Sequence, residues 1–313
     1  MIEIDDQLRR RRAAAGLVCV LIAVLGIWLR SLSGEFVSDD KLLILRNPQL
    51  AELSNWPSVV GRGMGSSLDA QQAQPQGTWR PLAGTLLLFT NVLGHGSPLF
   101  FHWVAVLLHL AATAAAFALA LELAGSLAVA LLTALLFGLH PGHVESVAWI
   151  SALSDPLFAT FALLALRSWI RWRKAGSMGL AWQAGALLFL GLLAKELALA
   201  VVPLALAYDL ASTRKTGRAR DWAPFASAGL LWYAGRALSF GELSAGFAHT
   251  ATWFGVGPVR LAQLRIELFG GYAWLGLWPR DLQLLHPFRP TLSGSDPAFL
   301  RSLACSAGLI AGN

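Results

Sequence analysis

Arg9-Arg10-Arg11-Arg12-Ala13-Ala14-Ala15-Gly16-Leu17-Val18-Cys19-Val20-Leu21-Ile22-Ala23-Val24-Leu25-Gly26-Ile27-Trp28-Leu29 decides what kind of protein this chain is. Four guanidinium groups stand before an uncharged apolar run close to the ~20 residues a helix needs to cross hydrocarbon. A cleaved signal peptide shares the basic start and apolar stretch, but no small-x-small cleavage site follows. The run therefore reads as a signal anchor, with the N-terminus in the cytoplasm because basic residues stay inside.

The pattern repeats along the chain. Of 313 residues 56% are hydrophobic and only 13% charged, against about 25% in soluble domains; the mean hydropathy is +0.57. Hydrocarbon permits only helices or closed barrels, and Leu/Ala-rich blocks without alternation select helices. The expected fold is thus an all-α polytopic membrane protein, one domain over 1–313. The net charge of +6 does not point to nucleic acid, because the arginines cluster at the ends of apolar blocks. Cys19 and Cys305 both lie in apolar runs, which argues against a disulfide framework or a cysteine metal site.

Crossings are expected at Leu99–Leu123, Leu127–Leu139, about Val147–Ile170, Leu180–Ala194, Leu197–Leu210 and Ala223–Phe240. Residues 31–97 form a long first extracytoplasmic loop, structureless over much of 31–80, in which Pro81–Leu93 is too short to span and lies along the interface. Pro258–Trp278 reads as an amphipathic interfacial helix followed by a short buried turn. Phe299–Ile310 begins a further span within which the chain breaks off. With Arg9–Arg12, Arg171–Lys174 and Arg214–Arg220 on one side, Asp39-Asp40, His140–Glu145 and Lys195-Glu196 fall together on the other.

Phe36-Val37-Ser38-Asp39-Asp40-Lys41 is the chemical centre of this reading. Two adjacent carboxylates just beyond a membrane helix, with water still reaching them, suit a general base for an acceptor hydroxyl; the plain alternative is a pair of acids at a helix start. Arg80, Lys195 and Arg236 are candidates to hold a phosphate, and each also suits an ordinary boundary or ion-pair role. Glu196 would hold the geometry of Lys195. His102 and His109, on one helix face, together with His140, His143, Glu145 and Asp155, are candidates to line a cavity; the first two also suit simple packing. The His140-x-x-His143-x-Glu145 spacing is not that of a helical zinc motif. No metal ligand set is assigned, although a divalent cation held between acids and a phosphate is compatible with the sequence.

The order of motifs carries a resemblance: Asp39-Asp40 with Asn47-Pro48, Trp79-Arg80-Pro81-Leu82, His102 and His109, Phe137 through Ile150 with its His140-Pro141-Gly142-His143-Val144-Glu145 core, Asp155, Lys195-Glu196, Tyr208-Asp209 and Tyr233-x-x-Arg236. This series resembles the membrane half of the transmembrane O-mannosyltransferases that carry tetratricopeptide repeats, members of the GT-C superfamily. The resemblance implies a GT-C-like helical bundle and inverting transfer from a polyprenyl-phosphate-linked sugar to a hydroxyl of a protein, lipid or polysaccharide. It puts the base on Asp39 and leaves Asp40 to position donor or acceptor. Leu153 stands where the family commonly has an arginine, leaving the partner of Asp155 open. The expected location is a bacterial inner membrane with the site on the extracytoplasmic face. The rival readings are a transporter or flippase of lipid-linked intermediates, or a non-catalytic scaffold.

Overall fold

A computed structural model describes residues 2–62, 78–212, 218–243, 258–279 and 296–311. The helices, in chain order, are α1 (Ile2–Trp28), α2 (Trp56–Gly61), α3 (Pro81–Leu93), α4 (Pro98–Ala124), α5 (Leu127–Leu139), α6 (Val144–Ala148), α7 (Ser154–Ala175), α8 (Met178–Ala194), α9 (Val201–Ser212), α10 (Ala223–Phe240), α11 (Pro258–Leu277) and α12 (Pro297–Ala311). No strand occurs among the described residues. The protein is an all-α polytopic membrane protein.

Among the described residues, three helical stretches are long and apolar enough to cross a bilayer: Gln7–Ser33, Pro98–Ala124 and Ile150–Ala175. A fourth qualifies if α5 is counted with the Pro141–Ala148 stretch. Local chemistry sets their ends. Gly125, at φ 62°, closes α4 in the left-handed conformation, and the Ser126 side chain then accepts from Val129 N to start α5. Gly176 closes α7 in the same way.

The described residues group into two compact units, 1–140 with 146–248, and 141–145 with 249–313. In the first, α7 packs on α4 and α8, while α1 and α5 cover α4, and α10 lies on α8. Its buried seams are rich in small residues: Ala165, Ala181, Ala184, Ala198 and Ala205 are all fully buried. Small side chains let helices approach closely, which is how helices associate where lipid removes the hydrophobic drive between them. Large apolar side chains such as Ile22, Leu132, Leu136, Leu230 and Leu231 remain on the outside, as hydrocarbon permits. In the second unit, α11 and α12 pack on one another.

Three expectations change. Within the stretch expected to be structureless, residues 31–62 are built of short helical turns at Leu29–Ser33, Lys41–Leu45, Pro48–Leu50 and Leu53–Asn55, followed by α2; residues 63–77 lie outside the described residues. Asn47 accepts from Gln49 N, Asn91 reaches Leu50 O, and Trp56 donates to Thr85, so side-chain bonds replace the missing long helix. Pro258–Leu277 is one unbroken helix rather than a helix and a turn; Gly270 and Gly271 continue it. The helix expected from about Val147 starts at Ser154, after an extended Trp149 and a tight turn at Ile150–Leu153.

Candidate functional site

Asp39 and Asp40 are neighbours with opposite environments. Asp40 is 0% exposed. Its carboxylate accepts from Val37 N at 3.0 Å, Ser151 N at 2.7 Å and Ser151 Oγ at 2.5 Å. Water therefore does not reach it, contrary to the expectation for the pair. Asp39 is exposed, and among the described residues its carboxylate meets only the Ser38 hydroxyl, at 3.5 Å. Ser38, between the two anchored sides of the loop, sits at φ 48°, a region that residues other than glycine seldom occupy.

Ser151 ties this loop to the start of α7, where Asp155 occupies the first turn. Asp155 is paired with Lys195, which answers the question left by Leu153: its partner comes from the turn after α8. Glu196 turns the other way and receives a two-pronged bond from Arg80, Nε to Oε2 at 3.1 Å and Nη2 to Oε1 at 2.6 Å. Lys195 and Glu196 thus do not hold one another; adjacent residues in extended backbone at Lys195 face different partners. Burial works against charge on Glu196, but the hydrogen bond and charge of Arg80, with Arg236 adding to them, hold its carboxyl below the usual glutamate value.

Arg236 is 2% exposed, over the rings of Trp232 and Phe240 at 5.7 and 5.2 Å. The Trp79 ring is seated on Gly235, where any side chain would collide with it. The residues before Arg80 and Arg236 are therefore in contact, bringing the two cations to one place. Five ionic groups from four separate stretches, Arg80, Asp155, Lys195, Glu196 and Arg236, form one cluster with a formal sum of one positive charge. Such a cluster can receive an anion without burying an uncompensated charge.

At the far end of α7, Arg173 meets the fully buried Asp209 at 3.1 Å, Trp169 donates to Asp209, and Lys174 bonds to Glu122 at 2.8 Å. From Asp155 to Lys174 the helix rises roughly 28 Å, close to the hydrocarbon thickness. The two polar clusters therefore cap opposite ends of one crossing.

The histidines separate. His109 bonds to Gly138 O at 2.9 Å, beside Trp28, which donates to the same carbonyl at 2.8 Å; it joins α1, α4 and α5 in a buried seam. His102 is fully buried beneath Gly34. His140 is half-buried at the end of α5, while His143 and Glu145 lie in the second unit. Among the described residues, no group of three or more His, Cys, Asp or Glu side chains comes together as metal ligands. Ser151 carried no signal in the sequence, since a lone serine among apolar residues shows nothing of the carboxylate it meets.

The relatives of the chain are of one kind. It is 30% identical over 214 residues to protein O-mannosyl-transferase Tmtc2 of Drosophila melanogaster, a match covering 65% of this chain and 23% of that protein. It is 32% identical over 196 residues to protein O-mannosyl-transferase TMTC1 of Mus musculus, 58% of this chain and 21% of the relative. The human TMTC1 protein gives 31% over 200 residues, 58% of this chain and 22% of its own length. The chain is a homologue of the protein O-mannosyl-transferases. It spans less than a quarter of the length of these relatives. No protein-family model matches the chain, and no solved structure matches it.

Proposed function

We propose that this homologue of the protein O-mannosyl-transferases is the membrane part of a glycosyltransferase. It takes a sugar from a polyprenyl phosphate and passes it, with inversion, to a hydroxyl on the extracytoplasmic face of a bacterial inner membrane. The relatives' names favour mannose as the sugar and a protein side chain as the acceptor. One observation carries the reading: an exposed Asp39, held by a buried and fully bonded Asp40, stands on a loop pinned at the same end of α7 as the Arg80–Glu196, Lys195–Asp155 and Arg236 cluster.

In this mechanism the Asp39 carboxylate takes the proton of the acceptor hydroxyl. The hydroxyl oxygen then attacks the anomeric carbon from the face opposite the phosphate. The bond from that carbon to the phosphate oxygen breaks, and the lipid phosphate leaves as an anion. Arg80, Lys195 and Arg236 meet the charge where it develops. Arg80 has five N–H groups and Glu196 takes two of them, so the ion pair orients the guanidinium and leaves donors for a phosphate.

The test is transfer from a panel of radiolabelled polyprenyl-phosphate sugars to a serine- and threonine-containing peptide, in membranes carrying the wild-type chain or Asp39→Asn. A positioned base is worth about 10²–10⁴-fold, and a loss of that order is expected. Near-normal turnover in the variant removes Asp39 as the base. Lipid movement across vesicles with no transfer by the wild type would replace the enzyme with a transporter.

A further inference from the structure

We propose that His102 is a positioning residue for Asp39, its buried ring acting as the seat on which the Gly34–Asp40 strap rests. The inference rests on the reading of Asp39 as the working carboxylate, but the placement of the strap can be measured without any transfer.

The strap is fixed at both ends. Gly34 N bonds to Ser31 O at 3.0 Å, just beyond α1, and Asp40 is held by three hydrogen bonds, two of them from Ser151. Between these ends Phe36 stacks edge-on against Phe101 at 5.5 Å, and Ser38 takes its left-handed conformation immediately before Asp39. The Asp39 carboxylate has one long contact of its own, so its position is set by the course of the backbone beneath it.

His102 follows Phe101 in the first turns of α4 and is 0% exposed. Among the described residues neither ring nitrogen finds a hydrogen-bond partner of ordinary geometry, and Nε2 faces the Gly34 backbone. A Cβ at Gly34 would stand 2.6 Å from Nε2, 3.0 Å from Cε1 and 3.0 Å from Ser31 O. The backbone of Gly34, at φ −70° and ψ 151°, is one any residue adopts, so it is the space around the Cβ, with the imidazole as the nearest neighbour, that favours glycine here. An apolar ring would fill the space without burying two poorly satisfied nitrogens. The ring, with Nε2 against the Gly34 backbone, therefore bears directly on the course of the strap.

The experiment reads the strap directly. In membranes carrying the chain with Cys19→Ala and Cys305→Ala, Asp39→Cys is labelled with a membrane-impermeant maleimide, and the rate is compared across variants. Gly34→Ala should change the rate at least five-fold, and adding His102→Ala should return it to within two-fold of the starting chain. His102→Phe asks the same question from the helix side, with Gly34 intact, should Gly34→Ala fail to accumulate; it too should change the rate at least five-fold. In the chain that retains Asp39, Gly34→Ala should lower kcat at least ten-fold with KM within two-fold, and His102→Ala should rescue it. Unchanged labelling in Gly34→Ala and His102→Phe, or no rescue by His102→Ala, overturns the proposal. Labelling that follows the expected pattern while no chain transfers sugar keeps His102 as the seat and removes the enzyme reading instead.

Discussion

At the scale of single residues, the proposed reaction has neighbouring acids divide the work of holding and reacting. Asp40 satisfies two donors on Ser151 and one on Val37, and hydrogen bonds to charged groups contribute roughly 1.5–3 kcal/mol each. Asp40→Ala leaves those donors buried and unmet, so it should lower the unfolding temperature in detergent as well as transfer. Asp39→Asn, at an exposed site, should lower transfer and leave the unfolding temperature within a degree or so; equal destabilisation by both would contradict the division. Glu196 gives a pH signature. Its carboxyl is held below the usual value in the folded chain, so the Arg80 pair stabilises the fold above the ordinary glutamate range. That contribution is lost as pH falls through the depressed folded value. Thermal unfolding followed across the acid range should show this loss in the wild type and not in Glu196→Gln.

Between elements, close approach decides where the cations meet. Trp79 also donates to Val60 O at 2.9 Å, so its ring links the last turn of α2, the start of α3 and the Gly235 face of α10. Gly235→Ala should push the ring out, costing about 1–3 kcal/mol as overpacking usually does and moving Arg80 away from Arg236. Thermal unfolding reads the first effect, and weaker binding of a polyprenyl-phosphate sugar reads the second; a variant unchanged in both would show that the Trp79 contact has no part in the cluster. Much of this level was legible in sequence. α5 and α10 begin and end where the apolar runs do, because Gly125, Ser126 and the basic flanks mark their ends. The short turns of 31–62 were not legible, since their stability comes from Asn91, Thr85 and other side chains reached only after folding.

Across the whole molecule, the polar clusters at the two ends of α7 predict opposite exposure. In the chain lacking its own cysteines, Asp39→Cys, on the exposed loop tied to the start of α7, should be labelled by an impermeant reagent from one side of the membrane and Ala175→Cys from the other; labelling of both from one side would remove α7 as a crossing. What the sequence determined alone was class and periodicity: apolar run length, basic flanks and the spacing of charged residues dictate helices in a membrane, because burying backbone in hydrocarbon leaves no other choice. Pairing was decided only in three dimensions. Whether Lys195 meets Glu196 beside it or Asp155 forty residues away, and which of two adjacent aspartates is buried, depends on which helix ends abut. Charges in a poorly solvated site take the partner that packing brings within reach, whatever their separation along the chain.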